Sequence, residues 1–172
     1  MRILGKCRIA ETLAEWGLHE WNGRLHRPAP SDAESGLVGV NTALWYRAPL
    51  VARILIAQPE EYALQLELNL EDAPRLRLFD GQRLEAWTDA ILVSTADTWV
   101  RDRVPDPTPV LGPLICTGRL KDGKAIPPLV IFDGWHRAAV WVAHGRAGMP
   151  YTIRVDLIVT ADVPPLTGPL QP

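Results

Sequence analysis

Apolar and polar positions alternate over residues 62–70: Tyr62, Leu64, Leu66, Leu68 and Leu70 fall on one side, with Ala63, Gln65, Glu67 and Asn69 on the other. A period of two is that of a half-buried strand. Residues 75–79 alternate again and run into Asp80-Gly81, a pair suited to a tight hairpin turn. A third alternating run, residues 151–160, is built around Ile153, Val155, Leu157 and Val159. Residues 110–117 and 129–132 are more continuously apolar, and the polar turn Lys121-Asp122-Gly123-Lys124 joins them as two further strands. Residues 37–46 also have strand character.

Helical spacing appears in residues 8–21, where Ile9, Leu13 and Trp16 recur before a stop at Asn22-Gly23. Pro49 suits the first turn of a short helix over residues 47–57, which Gln58-Pro59 ends. Residues 84–99 read either as the returning strand followed by a helix or as one helix throughout, with helix favoured over much of their length, and a small-residue helix follows Asp133 and ends at Gly145. The pattern predicts an α+β fold, a small mixed sheet with flanking helices. The expected organisation is an N-terminal helix and loop over residues 1–36, one domain over 37–162, and a Pro-rich tail over 163–172.

Composition narrows the function. With 172 residues, 47% of them apolar, the chain can fill one core. It contains no run approaching the roughly 18 apolar residues of a membrane span, and Met1 to Lys6 lacks the apolar segment of a secretory signal. We therefore expect a cytoplasmic protein with no membrane insertion. Cys7 and Cys116 show no CxxC spacing, which argues against a disulfide framework or a zinc site. A net charge of -2 excludes a protein that coats nucleic acid by bulk electrostatics, so any DNA contact is weak and local. The 18 basic residues include only three lysines, Lys6, Lys121 and Lys124, yet no basic cluster is visible.

One segment carries recognisable chemistry. Residues 128–145 read as a strand, a glycine turn and a helix, with Asp133-Gly134-Trp135-His136-Arg137 at the turn. Free N–H groups at a helix start, the helix dipole and a glycine that admits close approach together make an anion site. Arg137 offers a two-pronged grip on phosphate, His136 can carry a proton, and Asp133 is placed at the N-cap. On a helical wheel Trp135, Ala138, Ala139, Val142 and Ala143 share the face expected to pack on the sheet. His136, Val140 and His144 share another, and Trp141 lies one turn beyond Arg137, where its ring can brace the guanidinium. The plainer alternatives are that Asp133 only caps, that Asp-Gly is a routine turn, and that His144 meets carbonyls at the helix end. Asp133, His136 and His144 make a poor metal set, so no metal site is expected.

The motif Asp133-Gly134-Trp135-His136-Arg137-Ala138-Ala139, between an apolar strand and a short helix, resembles the signature of the ParB/sulfiredoxin-like superfamily. The resemblance covers residues 111–160 and only loosely the earlier chain. It implies a nucleotide-phosphate cradle formed by Asp133, Gly134, His136 and Arg137, with His136 and Arg137 as the catalytic pair. Trp135 stands where sulfiredoxins carry their nucleophilic cysteine and where ParB proteins carry a glutamate, which argues against sulfinic acid reduction and chromosome segregation. In size and motif the chain is most similar to the plasmid fertility inhibition factors of the superfamily. That similarity implies ATP or another nucleotide as ligand, Mg2+ as its companion ion, and a role in blocking conjugative DNA transfer. It leaves ATPase and DNase activity open, alongside an inactive module that inhibits a conjugation or secretion protein by contact. Hydrolysis also needs a carboxylate, for which Glu85, Asp89, Asp97 and Asp102 are candidates by position. Exposed Trp45, Trp87 or Trp99 would favour the contact reading.

Because a chain with net charge -2 leaves any DNA contact to a small basic patch, duplex binding should be weak and fall steeply with added salt, as a gel-shift titration at increasing ionic strength will show.

Overall fold

The structure, a computed structural model, describes residues 1–8, 12, 62–110 and 112–159. Apart from Arg8 and Thr12, the expected helices over 8–21 and 47–57, the strand over 37–46, Trp45 and the Pro-rich tail lie outside the described residues. The chain divides into two compact units, Met1–Gly5 with Leu64–Pro172 and Lys6–Ala63. Among the described residues the elements run β1 (Arg2–Arg8), β2 (Tyr62–Leu68), a 3-10 helix (Leu70–Arg75), β3 (Leu76–Leu78), α1 (Leu84–Leu92), α2 (Trp99–Arg103), β4 (Leu114–Lys121), β5 (Lys124–Asp133), α3 (Trp135–Arg146) and β6 (Ile153–Val159). No described helix is long and apolar enough to cross a membrane.

The protein is α+β with a six-stranded mixed sheet in the order β1-β2-β6-β4-β5-β3. β4 and β5 form the expected antiparallel pair, closed by Lys121 opposite Lys124, while β4 runs parallel to β6. The expected alternation is realised in β2 from Leu64 to Leu68, where the leucines are buried and Gln65 and Glu67 are half-buried, but not at its start, where Tyr62 is exposed and Ala63 buried. Leu70 leaves the strand and opens the 3-10 helix. That helix is organised by Asp72, whose carboxylate accepts the Asn69 backbone N–H at 3.2 Å and an Arg75 N–H at 2.8 Å.

Asp80-Gly81 does turn the chain, with the Gly81 N–H donating to Leu78 O at 2.9 Å. No returning strand follows it. The hairpin shrinks to one antiparallel bridge between Arg77 and Arg83, because buried Leu84, Thr88 and Ile91 recur at helical spacing and draw the chain into α1. β3 pairs instead in parallel with β5, Leu76 opposite Leu129 and Leu78 opposite Ile131. The helix expected over 84–99 breaks after Leu92 and resumes as α2.

One core covers the sheet face that α3 packs on. Leu66, Leu76, Leu114, Cys116, Leu129, Ile131, Val155 and Leu157 meet Ala138, Trp141 and Val142 there. Every residue from Ala138 to His144 is buried, which explains the run of alanine and valine: larger side chains would not fit between α1, α2 and the sheet. Gly145 does not end α3 as the sequence suggested. It lies inside the helix, where an added Cβ would come within 2.5 Å of Leu70, so its role is close packing. The stop is Gly148, at φ +81, with the Met149 N–H returning to His144 O at 2.9 Å.

The wheel placed Trp135 on the core face, but the two tryptophans of α3 differ. Trp141 is fully buried, and its Nε1–H donates to Tyr151 O at 2.8 Å. Trp135 is only half-buried at the core rim. Trp141→Ala should therefore cost about 3 to 5 kcal/mol of stability, and Trp135→Ala clearly less, in paired chemical denaturation curves.

Candidate functional site

The turn between β5 and α3 is where the sequence placed its chemistry. Gly134, not Asp133, is the N-cap of α3; it adopts φ 88, ψ 15, left-handed backbone that a side chain would strain. Asp133, expected at the cap, is the last residue of β5 and lies one position before it. The Ala138 N–H donates to Gly134 O at 2.8 Å and starts the helical ladder, so the N–H groups of Trp135, His136 and Arg137 have no partner within the helix. Asp133, Gly134, His136 and Arg137 are thus gathered around one helix start.

Arg137 is held rather than free. Its NH2 group donates to Asp133 Oδ2 at 2.7 Å, one helical turn back, with both side chains largely buried. The guanidinium lies over glycine backbone on two sides: a Cβ added to Gly112 would sit 2.8 Å from NH1, and one added to Gly134 would sit 2.8 Å from NH2. Gly112 was not singled out from sequence, and its only signal was a glycine at the start of an apolar strand segment. Trp141 does not brace Arg137. Its ring is fully buried, and the cation-π contact observed is Arg103 over Trp99, 4.3 Å from the ring centroid.

His136 meets a carboxylate that the sequence marks as a candidate by position alone. Its Nε2 lies 2.7 Å from Asp97 Oδ2, in the segment between α1 and α2. The hydrogen bond to His136, helped by the Trp99 backbone N–H, holds the Asp97 carboxyl below its ordinary range. A ladder of rings flanks His136. Phe79 meets Trp135 edge-on at 5.4 Å, Trp135 stacks on Trp87 at 5.6 Å, and Trp87 and Trp99 both approach His136, at 5.5 and 5.6 Å. Trp99 remains 38% exposed, while Trp87 is half-buried.

The other carboxylates are engaged elsewhere. Glu85 pairs with Arg83, Asp89 with Arg146, and Asp102 accepts the Thr98 hydroxyl at 2.7 Å. His144, expected to meet carbonyls at the helix end, is instead completely buried with its ring 5.8 Å from that of Tyr151, and neither ring nitrogen has a hydrogen-bond partner among the described residues. No group of three or more His, Cys, Asp or Glu among the described residues could hold a metal ion. Cys116 is closer to the motif than its number suggests, since it pairs across the sheet with Ile131, two residues before Asp133. Burial, reinforced by Asp156 and Asp133, pushes its thiol far above the usual range, so it stays protonated and unfit as a nucleophile.

The depressed Asp97 carboxyl has a definite sign in stability. A carboxyl that ionises more readily when folded stabilises the protein above the unfolded value of about 3.9 and loses that contribution as pH falls through the folded value. The stability gap between wild type and Asp97→Asn should therefore be present at neutral pH and close below about pH 4 in denaturation curves at stepped pH. Comparison with protein-family models, with curated proteins and with solved structures finds no match for this chain.

Proposed function

We propose that this chain is a nucleotide-binding domain of the ParB/sulfiredoxin-like type, acting in the cytoplasm on DNA transfer as plasmid fertility inhibition factors do. The observation that carries the reading is the start of α3: three N–H groups without helical partners, a left-handed glycine at the cap and an arginine fixed beside them. That is the chemistry of a phosphate site. Asp133 contributes by fixing the Arg137 fork, not by touching phosphate, since two anions would repel. Gly134 and Gly112 contribute by leaving the backbone bare around the guanidinium.

ATP or another nucleoside triphosphate, accompanied by Mg2+, is the proposed ligand, with ATPase or DNase chemistry at His136. Support for the role in conjugation is the motif Asp133-Gly134-x-His136-Arg137 lying on a strand-to-helix turn. Trp135 at the position of the sulfiredoxin cysteine, together with a buried and protonated Cys116, argues against sulfinic acid reduction. A second reading, inhibition of a conjugation or secretion protein by contact, is favoured by Trp99, exposed at 38% with Arg103 stacked on it.

Calorimetric titration with ATP, CTP and GTP, with and without magnesium, separates the two. Arg137→Ala should weaken nucleotide binding by about 1.5 to 3 kcal/mol, more than tenfold. Because Arg137 also neutralises the largely buried Asp133, the substitution should lower the melting temperature as well, and Arg137→Lys should recover stability before binding. Wild-type protein that binds none of the three nucleotides would favour the contact reading.

A further inference from the structure

The pairing of His136 with Asp97 goes one step beyond phosphate binding. His136 is the second residue of α3, beside the N–H groups that have no helical partner, and its ring is held at 2.7 Å by a carboxylate from a different segment. Asp97 is itself fixed, because its other oxygen accepts the Trp99 backbone N–H at 3.0 Å. The two side chains are 32% and 37% exposed, so the pair is open to solvent and to small ligands.

An ionised carboxylate only accepts hydrogen bonds. The proton it shares with the ring therefore sits on Nε2, which leaves Nδ1 of the neutral imidazole as an acceptor. An acceptor nitrogen repels phosphate oxygens and attracts the hydrogen of water or a hydroxyl group. A histidine assigned from sequence to the phosphate cradle is thus better suited to the proton of an attacking group. The ring ladder from Phe79 to Trp99 limits reorientation of the imidazole.

We propose that Asp97 is a positioning residue that presents His136 Nδ1 as the proton acceptor for attack on a phosphoanhydride bound at the start of α3. The proposal rests on the nucleotide reading above. In the step, a water oxygen forms a bond to the terminal phosphorus and its proton passes to Nδ1. The bond between that phosphorus and the bridging oxygen breaks, with its electron pair leaving on the nucleoside diphosphate. The imidazolium, balanced by the Asp97 carboxylate, then returns the proton to solvent. The catalytic residue is His136; Asp97 acts through it.

The test has a part that needs no nucleotide. In the 15N-labelled full chain, the Nε2–H of His136 should give a downfield proton resonance coupled to a ring nitrogen, present in wild type and in Arg137→Lys and lost in Asp97→Ala. Absence of that resonance from wild type would overturn the dyad whatever the protein binds. ATP and magnesium then supply the second part: Asp97→Ala should lower kcat for phosphate release about 100-fold or more with KM within about twofold, and Asp97→Glu should restore part of it. Loss through KM alone, an unchanged kcat, or a wild type that binds ATP without releasing phosphate would each overturn the assignment. Failure to bind ATP would instead remove the nucleotide reading beneath it.

Discussion

The burial of α3 is the constraint on which the rest of the structure depends. A helix covered on all sides through its middle turns admits only side chains that leave room for its neighbours, and from Ala138 to Ala143 five of six positions are alanine or valine around the fully buried Trp141. Gly145 extends the same economy of space, since Leu70 occupies the volume a Cβ would need. With the axis of α3 fixed in this way, the first turn and its N–H groups have a fixed place at the end of β5. The site inherits its rigidity from core packing.

Two side-chain pairs then divide the labour at that helix start. Arg137 turns back to Asp133, within its own motif, and the bare backbone of Gly112 and Gly134 gives the guanidinium its seat. His136 turns outward to Asp97, across 39 positions of sequence. The first pair is local, an i,i+4 contact on consecutive elements; the second joins α3 to the segment between α1 and α2. Both rings that approach His136 from that side, Trp87 and Trp99, come from α1 and α2. The aromatic ladder is therefore both scaffold and site wall, and its half-buried rings add offset and edge-on contacts to the burial of the core rim.

Local periodicity determined much of the architecture. Alternation marked β2 and β6, the polar turn at Asp122-Gly123 marked the β4–β5 hairpin, and the strand, glycine and helix succession marked the turn that carries Asp133 to Arg137. These features depend on neighbours in sequence, through side-chain period and backbone angle. The same local logic left a returning strand after Asp80-Gly81 open and took Gly145 for a helix stop. In both places the outcome hung on distant partners: β5, which took β3 as a parallel neighbour, and Leu70, which needed the space at Gly145.

The sequence by itself determined that the chain is α+β, that a mixed sheet is present, and that four candidate residues share one glycine turn. Only tertiary structure decided which carboxylate meets His136. Glu85, Asp89, Asp97 and Asp102 were equivalent by composition and position, and nothing local distinguishes the carboxylate that will meet the His136 ring from one that will pair with an arginine, whether adjacent like Arg83 or on α3 like Arg146. Tertiary packing likewise buried His144 and Trp141 while leaving Trp135 at the core rim, because burial on a helix is set by what lies against each face, and a helical wheel carries no record of its neighbours.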